Sequence, residues 1–422
     1  MMMREKFDQL LYILILALGF LSLLLLPFQQ GYAMKALRAA GELGLLAIFI
    51  SPKKYLNGNT KYISACLFIL ALLSFLWFRT YRSPDSLYFG AYINYRDWSL
   101  AGLFAAFAFP VLSSNRKNSA SIINIHLLIA LLVNILYVAY SFYQIAILKE
   151  PRVTLSLAYG PNSTGAAYTI SFIATYTLIT ISWTVKKFKI PLILIFAFAN
   201  IVAISLTGTR AAIIAFPIVL LFIFWHEIKQ RDKKTKLNSI LLLIFLSILS
   251  AVFLAKPVAK RIIEMKSDLT QYENRNSATS IGARFAMYQV GIDSSIDNYA
   301  WQSLEKRNQK ILSIIQDNPD WSGAKPYLGV HLHNQFIDTL STIGWIGVIL
   351  DILFLASILH FSLNNKCLLI SAYAILFLLF GLSDTLTYAT PVPLAWLLTL
   401  MLTCSVRNNK KSMMIRKNRS RK

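Results

Sequence analysis

The sequence predicts an all-α polytopic membrane protein, on three observations. Hydrophobic residues fill 56% of the 422 positions, charged residues only 14%, and the mean hydropathy is +0.55. A soluble domain of this length needs more polar surface, and a disordered chain needs low hydrophobicity, so both classes are excluded. The apolar residues also come in runs of roughly 20, the length an α-helix needs to cross a bilayer. Finally, 42 Lys+Arg against 19 Asp+Glu give a net charge of +23, and that excess is unevenly spread along the chain.

Taken in order, the runs give about 12 spans. The first, 9–27, follows Arg4 and Lys6 without a small-residue cleavage site and reads as a retained helix rather than a signal peptide. The second, 33–50, places Lys35, Arg38 and Glu42 on one helix face at i, i+3 and i+7. Runs at 62–78, 99–113 and 121–147 follow, and 166–185 opens with the small residues of Thr164-Gly165-Ala166-Ala167-Tyr168, suited to close helix packing. A tight break at Leu206-Thr207-Gly208-Thr209 separates 190–208 from 210–226, and 237–255 precedes a long mixed-charge stretch. Spans at 335–361, 367–384 and 389–405 and a basic tail at 406–422 complete the chain. The expected organisation is therefore helices 1–9 in 1–255, a large loop at 256–334, helices 10–12 in 335–405, and the tail.

Charge tests this count. With the N-terminus cytoplasmic, the segments 1–8, 51–61, 114–120, 186–189, 227–236, 362–366 and 406–422 share one side. They hold 24 basic and four acidic residues, while the rest holds 18 basic and 15 acidic. Nearly all the net charge then lies on the cytoplasmic face, as the positive-inside rule expects. The tail is an orientation and anionic-lipid signal rather than a nucleic-acid arm. On the other face, two loops (79–98 and 148–165) are moderate and 256–334 is large. Within it Trp301, Leu304, Asn308, Ile311 and Ile315 fall at helical spacing beside Glu305, Lys306, Arg307 and Lys310, which predicts an amphipathic helix lying over the membrane face.

Arg210 is the most informative residue. Charge near a bilayer must face protein, water or ligand, and the topology puts Arg210 at the outer boundary. One reading is an arginine snorkelling to lipid phosphate. The other is an anion site, favoured by the Thr-Gly-Thr turn at a helix start and by the fit of a guanidinium fork to phosphate. Arg284, in Gly282-Ala283-Arg284, matters if the loop folds back over Arg210.

His331-Leu332-His333-Asn334 closes the loop, and a histidine there is either a general base or a polar residue capping the next helix. Asp338 either orients an imidazole or favours the helix start. Asp384 is a counter-ion or a cap, and Lys35 a further phosphate contact or part of a structural charge cluster. No carboxylate or Cys clusters in sequence with the two histidines, and no Asp-x-Asp occurs, so no metal is expected. Cys66, Cys367 and Cys404 lie in apolar runs and indicate neither disulfides nor zinc.

Together, Thr-Gly-Ala-Ala-Tyr at 164–168, Thr-Arg-Ala at 209–211, Gly-Ala-Arg-x-Ala-Met-Tyr at 282–288, His-Leu-His-Asn at 331–334 and Gly-Leu-Ser-Asp at 381–384 resemble the bacterial O-antigen ligases of enterobacterial type. The resemblance implies a GT-C-like inner-membrane glycosyltransferase with a periplasmic active site and a large periplasmic loop, using neither metal nor nucleotide. Its donor would be polysaccharide on undecaprenyl diphosphate and its acceptor an outer-core sugar of lipid A–core, with membrane lipids as the remaining partners. Carried over by motif, the essential residues are Arg210, Arg284 and His333, supported by Asn334, Asp338 and Asp384, with Lys35 as a further diphosphate contact. Asp338 stands where close relatives often have glutamate. The nearest rival is an O-antigen polymerase using the same donor; a lipid-linked oligosaccharide exporter is the rival from another class.

Overall fold

The computed structural model describes residues 2–58, 60–114, 120–155, 162–229 and 231–419. The expected basic segment at 114–120 and the last residues of the tail, 420–422, therefore fall largely outside the described residues. The chain forms α1 (Met2–Leu25), α2 (Gln30–Ile50), α3 (Pro52–Leu56), α4 (Lys61–Tyr81), α5 (Phe89–Leu112), α6 (Ala120–Ala146), α7 (Ser163–Thr184) and α8 (Lys189–Thr207). There follow α9 (Arg210–Ile228), α10 (Lys233–Glu273), α11 (Ser280–Asp293), α12 (Leu304–Asp317), α13 (Gln335–Thr342), α14 (Trp345–Asn364), α15 (Ser371–Gly381) and α16 (Pro391–Arg419).

This is an all-helical polytopic membrane protein. Among the described residues, eight helices are long and apolar enough to cross a bilayer, and two shorter apolar helices, Leu368–Gly381 and Pro391–Arg407, join them. The remaining runs, 33–50 and 99–113, are helical as α2 and α5 but carry charge: Lys35, Arg38 and Glu42 on one, Arg96 and Asp97 on the other. They pack backbone to backbone, since a Cβ on Gly41 would sit 2.5 Å from Phe104 Cβ.

α7 is the centre of the bundle and is buried almost throughout. Several of its buried hydroxyls bond to their own helix: Ser171 Oγ donates to Ala167 O at 2.7 Å and Thr175 Oγ1 to Ser171 O at 2.8 Å, while Thr177 Oγ1 also reaches Ala130 O on α6 at 3.0 Å. A reciprocal amide pair, Asn134 with Asn200 at 3.0–3.1 Å, ties α6 to α8.

Three boundaries differ from expectation. α10 does not stop near residue 255 but runs 41 residues without a break, about twice a membrane crossing. The expected span 335–361 is two helices, because Gly344 adopts φ +81° and a Cβ there would lie 2.7 Å from Asn298 O. The amphipathic helix exists as α12, but protein covers its apolar stripe rather than a membrane face: Ile311 and Ile315 are buried with Met287, Val290 and Leu332.

The segment 256–334 is a folded cap seated on the end of α4 and the start of α5. Trp77 Nε1 donates to Gln302 O at 2.8 Å, Tyr81 Oη to Trp301 O at 3.1 Å, and Tyr92 Oη to Glu305 Oε2 at 2.7 Å. These aromatic residues are amphipathic, so their rings pack at the bundle end while their polar tips hold the cap.

Candidate active site

Gly208 ends α8 at φ +65°, and two residues later Arg210 begins α9. The left-handed turn suits glycine, and a Cβ there would displace the guanidinium of Arg261, whose Nη2 would lie 2.6 Å away. Arg152 Nε donates to Thr207 O at 2.6 Å and Thr209 Oγ1 to Ser163 O at 3.2 Å, fixing the turn against its neighbours.

Around this turn lies a cavity of about 430 Å³, lined by Arg152, Arg210, Arg261 and Arg284 together with Glu264, Asp268, Thr164, Tyr168, Ser280 and Ser383. α10 carries Arg261, Glu264 and Asp268 there on the part that extends beyond its apolar half. Arg210 Nη1 reaches Asp268 Oδ2 at 3.0 Å and its Nη2 reaches Glu264 Oε2 at 3.5 Å, while Arg261 Nη1 takes Glu264 at 2.5 Å. Arg284 Nη1 donates to Ser280 O and Oγ, both at 3.2 Å, and its buried Nε has no partner. Four guanidiniums against two carboxylates leave two positive charges in excess. Burial and the nearby Arg261 lower the Arg152 pKa from the usual arginine range, with Glu264 opposing. Such a cavity is built to hold an anion carrying more than one charge.

Beside it lies a second cluster. His333 Nδ1 is 3.1 Å from Asp384 Oδ1, which also accepts the Thr385 N–H at 2.9 Å. With Asp384 ionised, Nδ1 is the donor in this bond, and in the neutral imidazole Nε2 is then the acceptor. Burial alone would raise Asp384, but the two imidazoles and the Thr385 N–H outweigh it and hold the carboxyl below its usual range. His331 is partly buried, and desolvation pushes it down to about 3, so it is neutral near pH 7. Its Nδ1 accepts the His333 backbone N–H at 3.2 Å.

His333 itself has φ +49°, a left-handed conformation that costs a non-glycine residue about 1–3 kcal/mol. Tyr288, one turn after Arg284 on α11, lies with its hydroxyl 2.9 Å from His333 O and 3.0 Å from Leu382 O. The two clusters are thus joined through α11 and through Ser383, which lines the cavity next to Asp384.

The expected site residues distribute as follows. Arg210 and Arg284 share the cavity, with His333 adjacent through Tyr288 and Asp384. Asn334 caps α13, accepting the N–H groups of Phe336 and Ile337 and donating to Leu382 O. The His333 ring bonds to Asp384, not to Asp338. Asp338 instead accepts the Leu332 N–H at 3.0 Å and the Tyr95 hydroxyl at 2.6 Å and faces Arg307 at 3.5 Å. Lys35 is exposed, its ammonium 4.8 Å over the Tyr32 ring, and lines no part of this cavity.

Asp384 also supplies the carboxylate that the sequence does not place near the histidines. His331, His333 and Asp384 bring three potential ligand atoms within 4.8 Å of one another, and these are the residues able to hold a metal among those described. Arg152, Arg261, Glu264 and Asp268 escaped the sequence reading, which takes 148–165 as an ordinary loop and ends the helix near 255.

Residues 193–355 match the family model described as O-antigen ligase, a stretch that contains Arg210, Arg284 and His333. The chain is also 26% identical over 410 residues, 96% of each protein, to the O-antigen ligase of Escherichia coli (strain K12). Both similarities point to the family that the five motifs resemble.

Proposed function

We propose that this member of the O-antigen ligase family transfers polysaccharide from undecaprenyl diphosphate to an outer-core sugar of lipid A–core at the periplasmic face of the inner membrane. The observation that carries the reading is a cavity with two excess positive charges beside an Asp-bonded histidine whose second nitrogen is an acceptor. The twelve-span topology, both termini cytoplasmic, the large loop periplasmic and the GT-C-like fold class belong to the same reading.

The chemistry follows from the residues. As the bond between the anomeric carbon and the diphosphate breaks, charge accumulates on the leaving oxygen, and Arg210 and Arg284 stabilise it. Arg152 and Arg261 deepen the positive field. His333 Nε2 takes the proton from the attacking core hydroxyl, and Asp384 steadies the imidazolium that forms. The new glycosidic bond forms as the old one breaks, and undecaprenyl diphosphate leaves. One base and no assigned covalent nucleophile give a single displacement with inversion, drawn without metal or nucleotide. Lys35 stays outside this scheme because it lines no part of the cavity.

Reconstitution of purified protein with undecaprenyl-diphosphate oligosaccharide and lipid A–core, without added metal or nucleotide, tests the proposal. Transfer to core supports it. Extension of a second lipid-linked chain would assign a polymerase instead, and transport across proteoliposomes without transfer would assign an exporter.

A further inference from the structure

We propose that Arg307 and Asp338 form a buried clamp that positions His333, an inference that rests on His333 acting as the base in the reading above. Spacing puts Arg307 on the charged flank of α12, yet its side chain is 0% exposed, and Asp338 is 1% exposed. Burying an ion pair seldom adds stability over apolar residues of similar volume, so the pair is better explained by what it holds in place.

What it holds is the segment leading into His333. Arg307 Nη2 donates to Leu328 O and Val330 O, both at 3.3 Å, while Asn308 Nδ2 donates to Leu328 O at 2.8 Å. Asp338 Oδ1 accepts the Leu332 N–H at 3.0 Å. Two carbonyls and an amide of the five residues 328–332 are therefore fixed by one charge pair and its neighbour. From the other side, Tyr95 on α5 donates to Asp338 Oδ2 at 2.6 Å, linking the clamp to the membrane bundle.

Held this way, the chain reaches His333 in the left-handed conformation, and the ring lands 3.1 Å from Asp384. A strained residue persists only where its surroundings over-determine it. Neither Arg307 nor Asp338 lines the arginine cavity, so both are positioning residues. Lysine keeps the charge but not the geometry: one Arg307 nitrogen, Nη2, meets both carbonyls while Nε donates to Asn308 Oδ1 at 3.0 Å and Nη1 faces Asp338, three directions a single ammonium does not serve.

The test uses the full-length protein in lipid nanodiscs with four variants: Arg307→Lys, Tyr95→Phe, Asp338→Glu and Asp338→Asn. Tyr95→Phe is the mildest, removing one hydroxyl and no charge. For Arg307→Lys and Tyr95→Phe we expect kcat to fall about 10- to 100-fold, since misplacement of about 1 Å has an effect of that size. Binding of undecaprenyl diphosphate and KM for the donor should stay within about twofold, and Asp338→Glu should retain more activity than Asp338→Asn.

The ring-nitrogen NMR signals of His333, observed with selectively labelled histidine, supply a readout independent of turnover. Altered His333 signals together with reduced kcat support the clamp. Unchanged His333 signals in folded Arg307→Lys and Tyr95→Phe overturn it, as does loss of donor binding in step with kcat. If wild-type protein transfers nothing, the ligase reading fails, and the His333 signals still decide the clamp.

Discussion

Replacing Arg210 with Ala removes the guanidinium that opens α9 and faces Asp268 at 3.0 Å and Glu264 at 3.5 Å. Two effects add. The leaving diphosphate loses a charge-assisted donor, worth about 2.7–4 kcal/mol when the donor acts on developing charge. The positive excess in the cavity also falls from two to one, and Asp268 becomes an uncompensated anion in the space the donor must enter. Together they should lower kcat/KM by about 10²- to 10⁴-fold, at roughly 1.4 kcal/mol per decade. The assay is transfer to lipid A–core by reconstituted protein, with circular dichroism and thermal unfolding in detergent as controls for folding. A double variant, Arg210→Ala with Asp268→Asn, returns the excess to two. If the field matters as well as the fork, it should recover about tenfold of the loss. A folded single variant with kcat/KM within about threefold of wild type would refute the anion-site reasoning.

Four further outcomes are expected. His333→Gln should reduce transfer by at least about 10²-fold, the scale of general-base catalysis, while binding of undecaprenyl diphosphate persists; lost binding would make His333 a structural support instead. Gly208→Ala forces a Cβ to within 2.6 Å of Arg261 at φ +65°, so KM for the donor should rise while membrane insertion is unchanged; an unaltered KM would show that Arg261 does not face the donor. His331 has a folded pKa near 3 against about 6.5 unfolded, so its contribution to stability is present above pH 6.5 and is lost as pH falls through that window. The slope is about 1.4 kcal/mol per pH unit at most, and Tm of wild type should therefore fall more steeply than that of His331→Gln between pH 7 and 4.5; parallel curves would contradict it. Single displacement predicts an inverted anomeric linkage in the product, and NMR of the linkage showing retention would exclude it.

Much of the site was legible because its key cations sit where cost makes them conspicuous. Arg210 stands between two apolar runs, and Arg284 lies in a short motif, so both drew notice before any geometry was known. What the sequence hides is partnership over long separations. Asp384 meets His333 from 51 residues away, whereas the nearby Asp338 is the obvious candidate and serves Arg307 instead. Arg307 illustrates the limit of periodicity. It follows Glu305 and Lys306 in a charged run, and only tertiary packing of α12 against the segment 328–332 turns it inward. Hydropathy likewise fixes where α10 is apolar but not where it ends, because a charged helix beyond a span looks much like a charged loop. The break at Gly344 was missed for the opposite reason: the residues on both sides remain apolar, and hydropathy does not register a change of direction.

α10 has a mechanical consequence. At 41 residues it is a rod of about 60 Å, with little of its membrane part buried against the bundle. Glu264 and Asp268 ride on it about 32 and 38 Å from the middle of the apolar half, so a tilt of about 5° swings them by roughly 3 Å. That displacement equals the reach of the carboxylates to Arg210. A lean of that single lever would therefore change how closely the two carboxylates neutralise Arg210, while leaving the Arg261–Glu264 pair, which rides on the same rod, intact.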